Sequence, residues 1–297
     1  MTNSSYAHLL IVAAMTSPAA ATSVPDASAR MNLIASSTVV LAGREEVVAD
    51  TFGTHQASYG GALARASATV GANEAVVPFI AYSASASGRS FALATAQLDY
   101  YWSVTGTAVD GELIPVTITT LGNVWGQVTA RATLPEQQVE AAASWLWSTV
   151  STSIETWSGA DGRAEQRGFG ASLGSGNTDT TRRSSPGGSV TSNESASFSE
   201  TFSILLRPNA SNRVVMDIYG SPRNSDLYNA TSVSYSWALG GYIDPIITID
   251  PAFADRFSVV QSSIPTVAMP VPETSTLFMM LGGLGLLGWL AARRRQA

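Results

Sequence analysis

The chain contains one pentapeptide with the spacing of a hydrolase nucleophile. Residues Gly170–Gly174 read Gly-Ala-Ser-Leu-Gly and match Gly-x-Ser-x-Gly, a pattern that holds the serine, here Ser172, on a sharp turn between a strand and a helix. Gly-rich polar sequence flanks the match on both sides, and His55 is the sole histidine after residue 21 that could act as the base. We therefore interpret the match as coincidental and predict no catalytic residue in this segment.

Two pairs of neighbouring carboxylates have the residue types of a glycosidase acid and base. The pairs are Asp244 with Asp250 and Asp110 with Glu112, and such an enzyme needs its two carboxyl groups about 5–9.5 Å apart. Asp244 and Asp250 each precede a proline, which is typical of turns and strand ends, so we favour a structural role for them. Carboxylate oxygens also bind Ca²⁺, but no EF-hand spacing accompanies these residues.

The composition excludes several other kinds of chemistry. Cysteine and lysine are absent, so the chain has no thiol nucleophile, no thiolate metal site, no Schiff-base lysine and no phosphate-loop lysine. One histidine after residue 21 cannot form a multi-histidine zinc site, and we predict neither a cofactor nor a metal. Residues 22–274 hold 13 arginines and 22 acidic residues, a balance that argues against binding to nucleic acid or to anionic polymers.

Aromatic side chains could stack on sugar rings wherever they lie on the surface. We expect most of them in the core, because alternating aromatic residues fill the space between packed sheets. Tyr101 is the better surface candidate, since it is out of phase with the apolar positions Leu98 and Val104. The aromatic candidates are Tyr100, Tyr101, Trp102, Trp125, Trp145, Trp147 and Trp237.

The elements that would position these residues read as strands. Apolar and polar residues alternate in short segments separated by turn residues, which predicts a mainly β fold, an antiparallel sandwich over residues 28–262 that could have jelly-roll connections. Residues 143–156 fit a helix or a strand, and the alternation of Trp145, Trp147 and Thr149 favours the strand. Gly, Ser, Thr and Asn dominate residues 158–197, which we predict to be a flexible loop. The remaining predicted strands are 94–104, 114–120, 124–134, 199–207, 213–219, 233–239 and 246–249.

The C-terminal segment predicts a membrane anchor. Residues 275–292 are 18 residues without a charge, and a helix of that length reaches about 27 Å, close to the hydrocarbon thickness of a bilayer. Arg293, Arg294 and Arg295 follow, and the positive-inside rule keeps residues 293–297 cytoplasmic as an Arg-rich tail. The sequence therefore predicts a single transmembrane helix with the preceding chain outside the cytoplasm.

The order of a Pro-Glu dipeptide, an apolar helix and an arginine cluster resembles the PEP-CTERM sorting domain of exported proteins from Gram-negative bacteria. Val271, Pro272 and Glu273 match the motif, whereas Thr274 stands where the family usually has proline. The resemblance implies recognition by exosortase, a membrane-embedded transpeptidase, and an association with exopolysaccharide and the extracellular matrix. Because of Thr274, two outcomes stay open: processing by the enzyme, or retention in the membrane by the helix.

The remaining boundaries follow from export. Residues 1–21 contain an apolar run at Leu9–Met15 and small residues at Ala19–Ala21, which predicts a signal peptide; an N-terminus without regular structure is the alternative. Residues 263–274 are predicted to be a linker that includes the sorting motif. The favoured function is that of a noncatalytic exported cell-surface or matrix protein. A carbohydrate-binding or adhesive module and a glycan-active enzyme are the alternatives.

Overall fold

The computed structural model describes residues 24–37, 43–60, 63–157, 164–173, 181–230 and 232–268. In chain order the first strands are β1 (Ser28–Ser37), β2 (Arg44–Ala49), β3 (Gly53–Tyr59), β4 (Ala64–Ala72), β5 (Pro78–Ser87), β6 (Ser90–Gly106), β7 (Ile114–Ala132) and β8 (Glu140–Ala141). After a 3₁₀ turn at Ala143–Trp145 follow β9 (Leu146–Trp157), β10 (Ala164–Leu173), β11 (Arg182–Arg183), β12 (Ser189–Leu206), β13 (Asn212–Pro222), the short helix α1 (Asp226–Asn229), β14 (Val233–Ile249) and β15 (Phe257–Gln261).

The strands form two large antiparallel sheets. The first, sheet A, has the order β10-β9-β13-β6-β1-β2, and β15 pairs with the end of β6 beyond β1. The second, sheet B, has the order β12-β7-β14-β5-β4-β3, while β8 and β11 form a separate two-stranded ribbon. The prediction of a mainly antiparallel β protein is therefore confirmed.

The inner faces of sheets A and B enclose one hydrophobic core. Along β6, every second residue from Ala92 to Val104 is buried, and along β7 the buried positions include Ile114, Val116 and Ile118. This is the period-2 pattern of a strand with one face against a core. The largest side chains in the core, including Trp102, come from both sheets.

One aromatic residue of the core also carries a polar contact between the two sheets. The Tyr82 hydroxyl on β5 is hydrogen-bonded to the Ser148 hydroxyl on β9, and Ser148 in turn donates to the Gly240 carbonyl at 3.4 Å. Gly220 leaves room for the Tyr82 ring, since a Cβ atom there would overlap it. Burial raises the pKa of the Tyr82 hydroxyl, which stays protonated and able to donate.

The prediction of a flexible loop over residues 158–197 is wrong for its described parts. Residues 164–173 form β10, paired with β9 along its whole length, and β12 begins at Ser189 and pairs with β7. The two strands are edge strands. Within residues 164–197 their apolar side consists of Phe169, Leu173 and small residues such as Ala171, Val190 and Ala196. Their amino-acid composition is therefore typical of a loop, although inward-facing and outward-facing residues alternate as in a strand.

Other predicted segments are joined or refined in the structure. The separate strands predicted at 114–120 and 124–134 are one strand, β7, because Gly122 continues the ladder and the ring of Phe198 lies against it. The ambiguous segment 143–156 consists of the 3₁₀ turn and β9, so the strand interpretation is confirmed from Leu146 onward.

The folded domain extends beyond the predicted boundary at residue 262. The Ala72 amide donates to the Pro265 carbonyl at 3.0 Å, and the Val267 amide donates to the Ala72 carbonyl at 2.8 Å, which forms a parallel bridge between Ala72 and Thr266. Residues 263–268 of the predicted linker therefore pack on the end of β4.

No helix within the described ranges is long and apolar enough to cross a membrane. The predicted signal peptide at 1–21, the sorting motif at 271–274, the transmembrane helix at 275–292 and the arginine tail at 293–297 all lie outside the described residues.

Candidate functional site

The outer face of sheet A carries exposed aromatic residues at both ends of β9. The buried phase of β9 is set by Leu146, Val150 and Ile154, so the intervening odd-numbered residues point to solvent. Trp147 and Trp157 belong to this outward set and are 50% and 52% exposed. They are separated by ten residues, or about 33 Å along an extended strand.

Trp147 has an aromatic neighbour on the adjacent strand. Its ring centroid lies 5.2 Å from that of Tyr219, with an angle of 57° between the ring planes. The pairing of Thr149 with Tyr219 and of Trp147 with Ser221 places the two rings side by side on β9 and β13. Together they form a broad apolar surface of the kind that stacks on the C–H face of a sugar ring.

Hydrogen-bonding groups lie next to the aromatic pair. The Gln97 side-chain amide donates to Asp217 Oδ1 at 2.8 Å, and Asp217 is paired with Ser151 of β9. Desolvation, with a smaller effect from the nearby Asp99 charge, raises the pKa of the Asp217 carboxyl above its ordinary value. The amide of Gln97, the carboxylate of Asp217 and the hydroxyl of Ser151 therefore lie side by side on three neighbouring strands.

An ion pair occupies the next part of the same face. Arg213 Nε and Nη2 donate to the two carboxylate oxygens of Asp99 at 2.9 and 2.6 Å, and Nη1 lies 3.9 Å from Glu155. The hydrogen bonds to Asp99 raise the pKa of the Arg213 guanidinium, although its desolvation acts in the opposite direction. The bidentate geometry fixes these side chains along the sheet surface.

We call this surface the β9 face. It combines three carboxylates with one guanidinium, so it favours a neutral ligand over an anionic one. Its length favours an extended ligand over a small compact one. Its members are Trp147, Thr149, Ser151, Ser153, Glu155 and Trp157 of β9, Arg213, Asp217 and Tyr219 of β13, and Gln97 and Asp99 of β6.

The serine of the Gly-x-Ser-x-Gly match lies in a regular strand. Ser172 is inside β10 and pairs with Thr149 of β9. A nucleophile elbow requires a turn from a strand into a helix, and the local structure of Ser172 differs from that requirement.

The Asp244–Asp250 pair does not have the geometry of a glycosidase. Asp244 and Asp250 are six residues apart along β14 and its end, or about 20 Å, well beyond the 5–9.5 Å that the reaction needs. Glu112 accepts hydrogen bonds from Arg256 Nη1 at 3.2 Å and from the Val109 amide at 2.9 Å, and these contacts lower the pKa of its carboxyl.

His55 forms a hydrogen bond of 3.1 Å between its Nε2 and the hydroxyl of Thr51. Within the part of the chain that the structure describes, there is no group of three or more His, Asp or Glu side chains that could hold a metal ion.

The aromatic candidates divide into buried, half-buried and exposed residues. Tyr100, Trp102 and Trp237 are buried, as expected. Tyr101 is half-buried, and Trp145 is half-buried against Tyr235, with ring centroids 5.9 Å apart. Trp125 and Trp147 are exposed, so these two, and not the half-buried Tyr101, are the surface aromatics among the candidates.

Trp157 was not among the aromatic candidates, although the sequence contains a signal for it. Trp147 and Trp157 are both out of phase with Val150 and Ile154, the apolar residues that face the core. In this strand, a tryptophan an odd number of positions from the buried aliphatic residues lies on the surface, whereas one an even number away would face the core.

Comparison with known proteins defines the C-terminal segment. Residues 270–295 match the family model of the PEP-CTERM protein-sorting motif. The chain therefore carries this motif, as its resemblance implied, and the match includes Val271–Thr274 and Arg293–Arg295. The motif indicates an exported protein that exosortase sorts to the cell envelope.

The rest of the chain has only remote similarities. The structure of infectious bursal disease virus strain Gt aligns with 90% of this chain and 68% of that chain at 12% identity and a TM-score of 0.14. The Gx strain of the same virus aligns with 92% and 71% at 12% identity and a TM-score of 0.10. These scores are too low to support a conclusion about fold or function. No curated protein matches the chain.

Proposed function

We propose that this protein is a noncatalytic, exported glycan-binding protein of the cell envelope or extracellular matrix. The C-terminal motif supports the location, and the β9 face supports the activity. The observation that carries the binding proposal is the exposed Trp147–Tyr219 pair beside the Gln97–Asp217 hydrogen bond. A linear glycan stacked on the indole could run along β13 past Tyr219 to this amide and carboxylate, since Asp217 lies four residues, or about 13 Å, from the ladder partner of Trp147.

The fold that holds this surface is, in our proposal, a jelly-roll sandwich. Eight strands, taken in chain order as β5, β6, β7, β9, β10, β12, β13 and β14, are divided between sheets A and B so that β5-β14-β7-β12 faces β6-β13-β9-β10. This is the strand order of a jelly roll, an architecture found in lectins and in capsid proteins alike. The fold is thus compatible with sugar binding, but the same fold serves many functions, so only the side chains of the β9 face support sugar binding.

The chemistry of the β9 face favours a neutral, linear polysaccharide. The side chains project from a rigid sheet, so binding does not require the ordering of a loop. The excess of carboxylates over guanidinium disfavours acidic sugars. We therefore propose the neutral portion of the exopolysaccharide as the ligand.

The direct test is a glycan array probed with the full chain in detergent micelles. We expect binding to neutral, linear glycans, and a clear weakening of that binding in Trp147→Ala. Leu134→Ala, which removes a 62% exposed apolar side chain from a loop, is the matched control and should bind normally. An array without any bound glycan, including the polymer of the producing cell, would refute the binding proposal.

For the location, we propose that Pro272 and Glu273 are read by exosortase, and that residues 275–292 span the membrane with Arg293–Arg295 on its cytoplasmic side. Replacement of Pro272 and Glu273 by alanine should remove the protein from its normal position at the cell surface. An unchanged distribution between envelope and medium would refute the role of these two residues. Comparison of the mature C-terminus with the gene sequence tells whether Thr274 permits processing.

Catalysis on glycans is the competing function, and the same material tests it. We expect the bound glycan to keep its length after prolonged incubation with the full chain. A shortened glycan, measured by size-exclusion chromatography, would refute the noncatalytic part of the proposal.

A further inference from the structure

A third exposed tryptophan lies on the opposite side of the domain from the β9 face. Trp125 belongs to β7 in sheet B, is 41% exposed and lies in the outward phase of that strand, between the buried residues Val124 and Gly126. Its partners in the ladder are Ser195 on β12 and Gly240 on β14. The outer faces of two packed sheets point away from each other, and the sheets themselves lie about 10 Å apart.

The indole ring of Trp125 lies over Gly240 of the neighbouring strand β14. A Cβ atom on Gly240 would be 2.9 Å from Trp125 Cζ2 and 3.0 Å from Cε2, so the ring rests directly on the glycine of the neighbouring strand. A residue with a side chain at position 240 would push the ring away from the sheet. The other side of the ring is available as a platform.

The outward-facing neighbours of this ring are polar and uncharged. A shallow depression beside Trp125 is lined by Gln127, Asn193 and Ser195, which lie on the outward side of β7 and β12. The charged residue of this depression, Glu194, lies in the inward phase of β12 between the outward positions Asn193 and Ser195. Amide and hydroxyl groups around an aromatic platform match the hydroxyl groups and the apolar face of an uncharged sugar.

We infer that the Trp125 platform is a second binding site for a neutral glycan, and that one molecule therefore holds two polysaccharide chains on opposite sides. The absence of formal charge among the outward neighbours of Trp125 selects a neutral ligand, because an acidic sugar would be desolvated there without a counter-charge. This inference rests on the proposed function of the β9 face. Its consequence is that the protein cross-links the polymer instead of only coating it.

The test is a two-step capture with the full chain reconstituted at one copy per lipid nanodisc, so that clustering of anchors cannot imitate two sites. A soluble neutral β-glucan is immobilised, the nanodiscs are bound, and fluorescent glucan is added. The wild type should capture the labelled glucan. Trp125→Ala should still bind the immobilised glucan but capture about tenfold less of the labelled one. Trp125→Phe, which keeps a flat ring, should recover most of the second step.

The outcomes separate this inference from the proposed function. The variant with Trp147→Ala and Trp157→Ala should bind the immobilised glucan through Trp125 and also fail in the second step. Equal capture of labelled glucan by Trp125→Ala and the wild type would overturn the second site alone. Complete loss of binding in the Trp147 and Trp157 variant would also overturn it, and would leave the β9 face as the binding site. If the wild type binds no glucan, both the second site at Trp125 and the glycan-binding function of the β9 face are overturned.

Discussion

The indole of Trp147 and the phenol ring of Tyr219 lie 5.2 Å apart on the outer face of sheet A. Because they come from adjacent strands, the backbone ladder between β9 and β13 fixes their separation. Tyr219 is half-buried and supports the exposed Trp147 from one side. A rigid pair of this kind loses little conformational entropy when a ligand binds.

The Arg213–Asp99 ion pair should make a small contribution to stability. Arg213→Ala is expected to lower the free energy of unfolding by about 1 kcal/mol, because the pair is bidentate but partly exposed to solvent. A double-mutant cycle with Asp99→Asn, followed by urea denaturation, measures the coupling. Additive effects of the two substitutions would show that the pair is energetically neutral.

The buried contact between Tyr82 and Ser148 should stabilise the packing of the two sheets. Tyr82→Phe is expected to cost about 1–2 kcal/mol, since it removes a buried hydrogen bond and keeps the ring. Ser148→Ala removes the other partner, and the double variant should cost less than the sum of the two. A fully additive double variant in thermal or urea unfolding would contradict the direct hydrogen bond.

Asp244 should make the stability depend on pH in an unusual direction. Burial raises the pKa of its carboxyl from 3.8 to about 6, and its Oδ1 atom is buried without a hydrogen-bond partner. Between these two values the folded protein retains a proton that the unfolded chain releases, so the contribution of Asp244 to stability falls as the pH rises from about 4 to about 6.

Asp244→Asn removes this effect. At pH 7 the variant should be more stable than the wild type by about 1–2 kcal/mol, because no buried charge has to form. The difference between the two proteins should shrink as the pH falls below about 4, where the wild-type carboxyl is neutral in both states. An identical dependence of the unfolding free energy on pH in the two proteins would contradict the burial of a charged Asp244.

Ser262 should hold both ends of the domain on β6. Its hydroxyl donates to the Pro25 carbonyl at 2.7 Å and accepts from the Tyr101 amide at 2.8 Å. Ser262→Ala leaves these part-buried backbone groups without that partner, so we expect a loss of about 1 kcal/mol. Hydrogen exchange should accelerate mainly in residues 24–27 and 262–268. Exchange that is unchanged in these segments would show that the hydroxyl does not hold them.

The sequence was sufficient for the strands whose alternation is strong. Leu98, Tyr100, Trp102 and Val104 were expected on one side of a strand, and all four are buried on the inner side of β6. It was sufficient for the second half of β12, predicted as the strand 199–207. It was insufficient for β10 and for residues 189–198 of β12, because edge strands need few large apolar residues and the small polar residues of these segments are also typical of a loop.

The candidate site depends on information that local pattern does not contain. Trp147 and Tyr219 are 72 positions apart in the sequence, and their contact requires the β9–β13 register. The place of the Trp125 ring over β14 likewise depends on Gly240, which is distant in the sequence. Residue types and local phase identify which aromatics face solvent, whereas the topology decides what lies beside them.

The most direct test of glycan binding is isothermal titration of the full chain with the neutral glycan selected on the array. We expect saturable binding by the wild type, a loss of affinity of about tenfold or more in Trp147→Ala, and a smaller loss in Trp147→Phe. The melting temperatures should agree, because Trp147 is an exposed residue. Equal affinities of the wild type and Trp147→Ala for that glycan would contradict the assignment of the β9 face as its binding site.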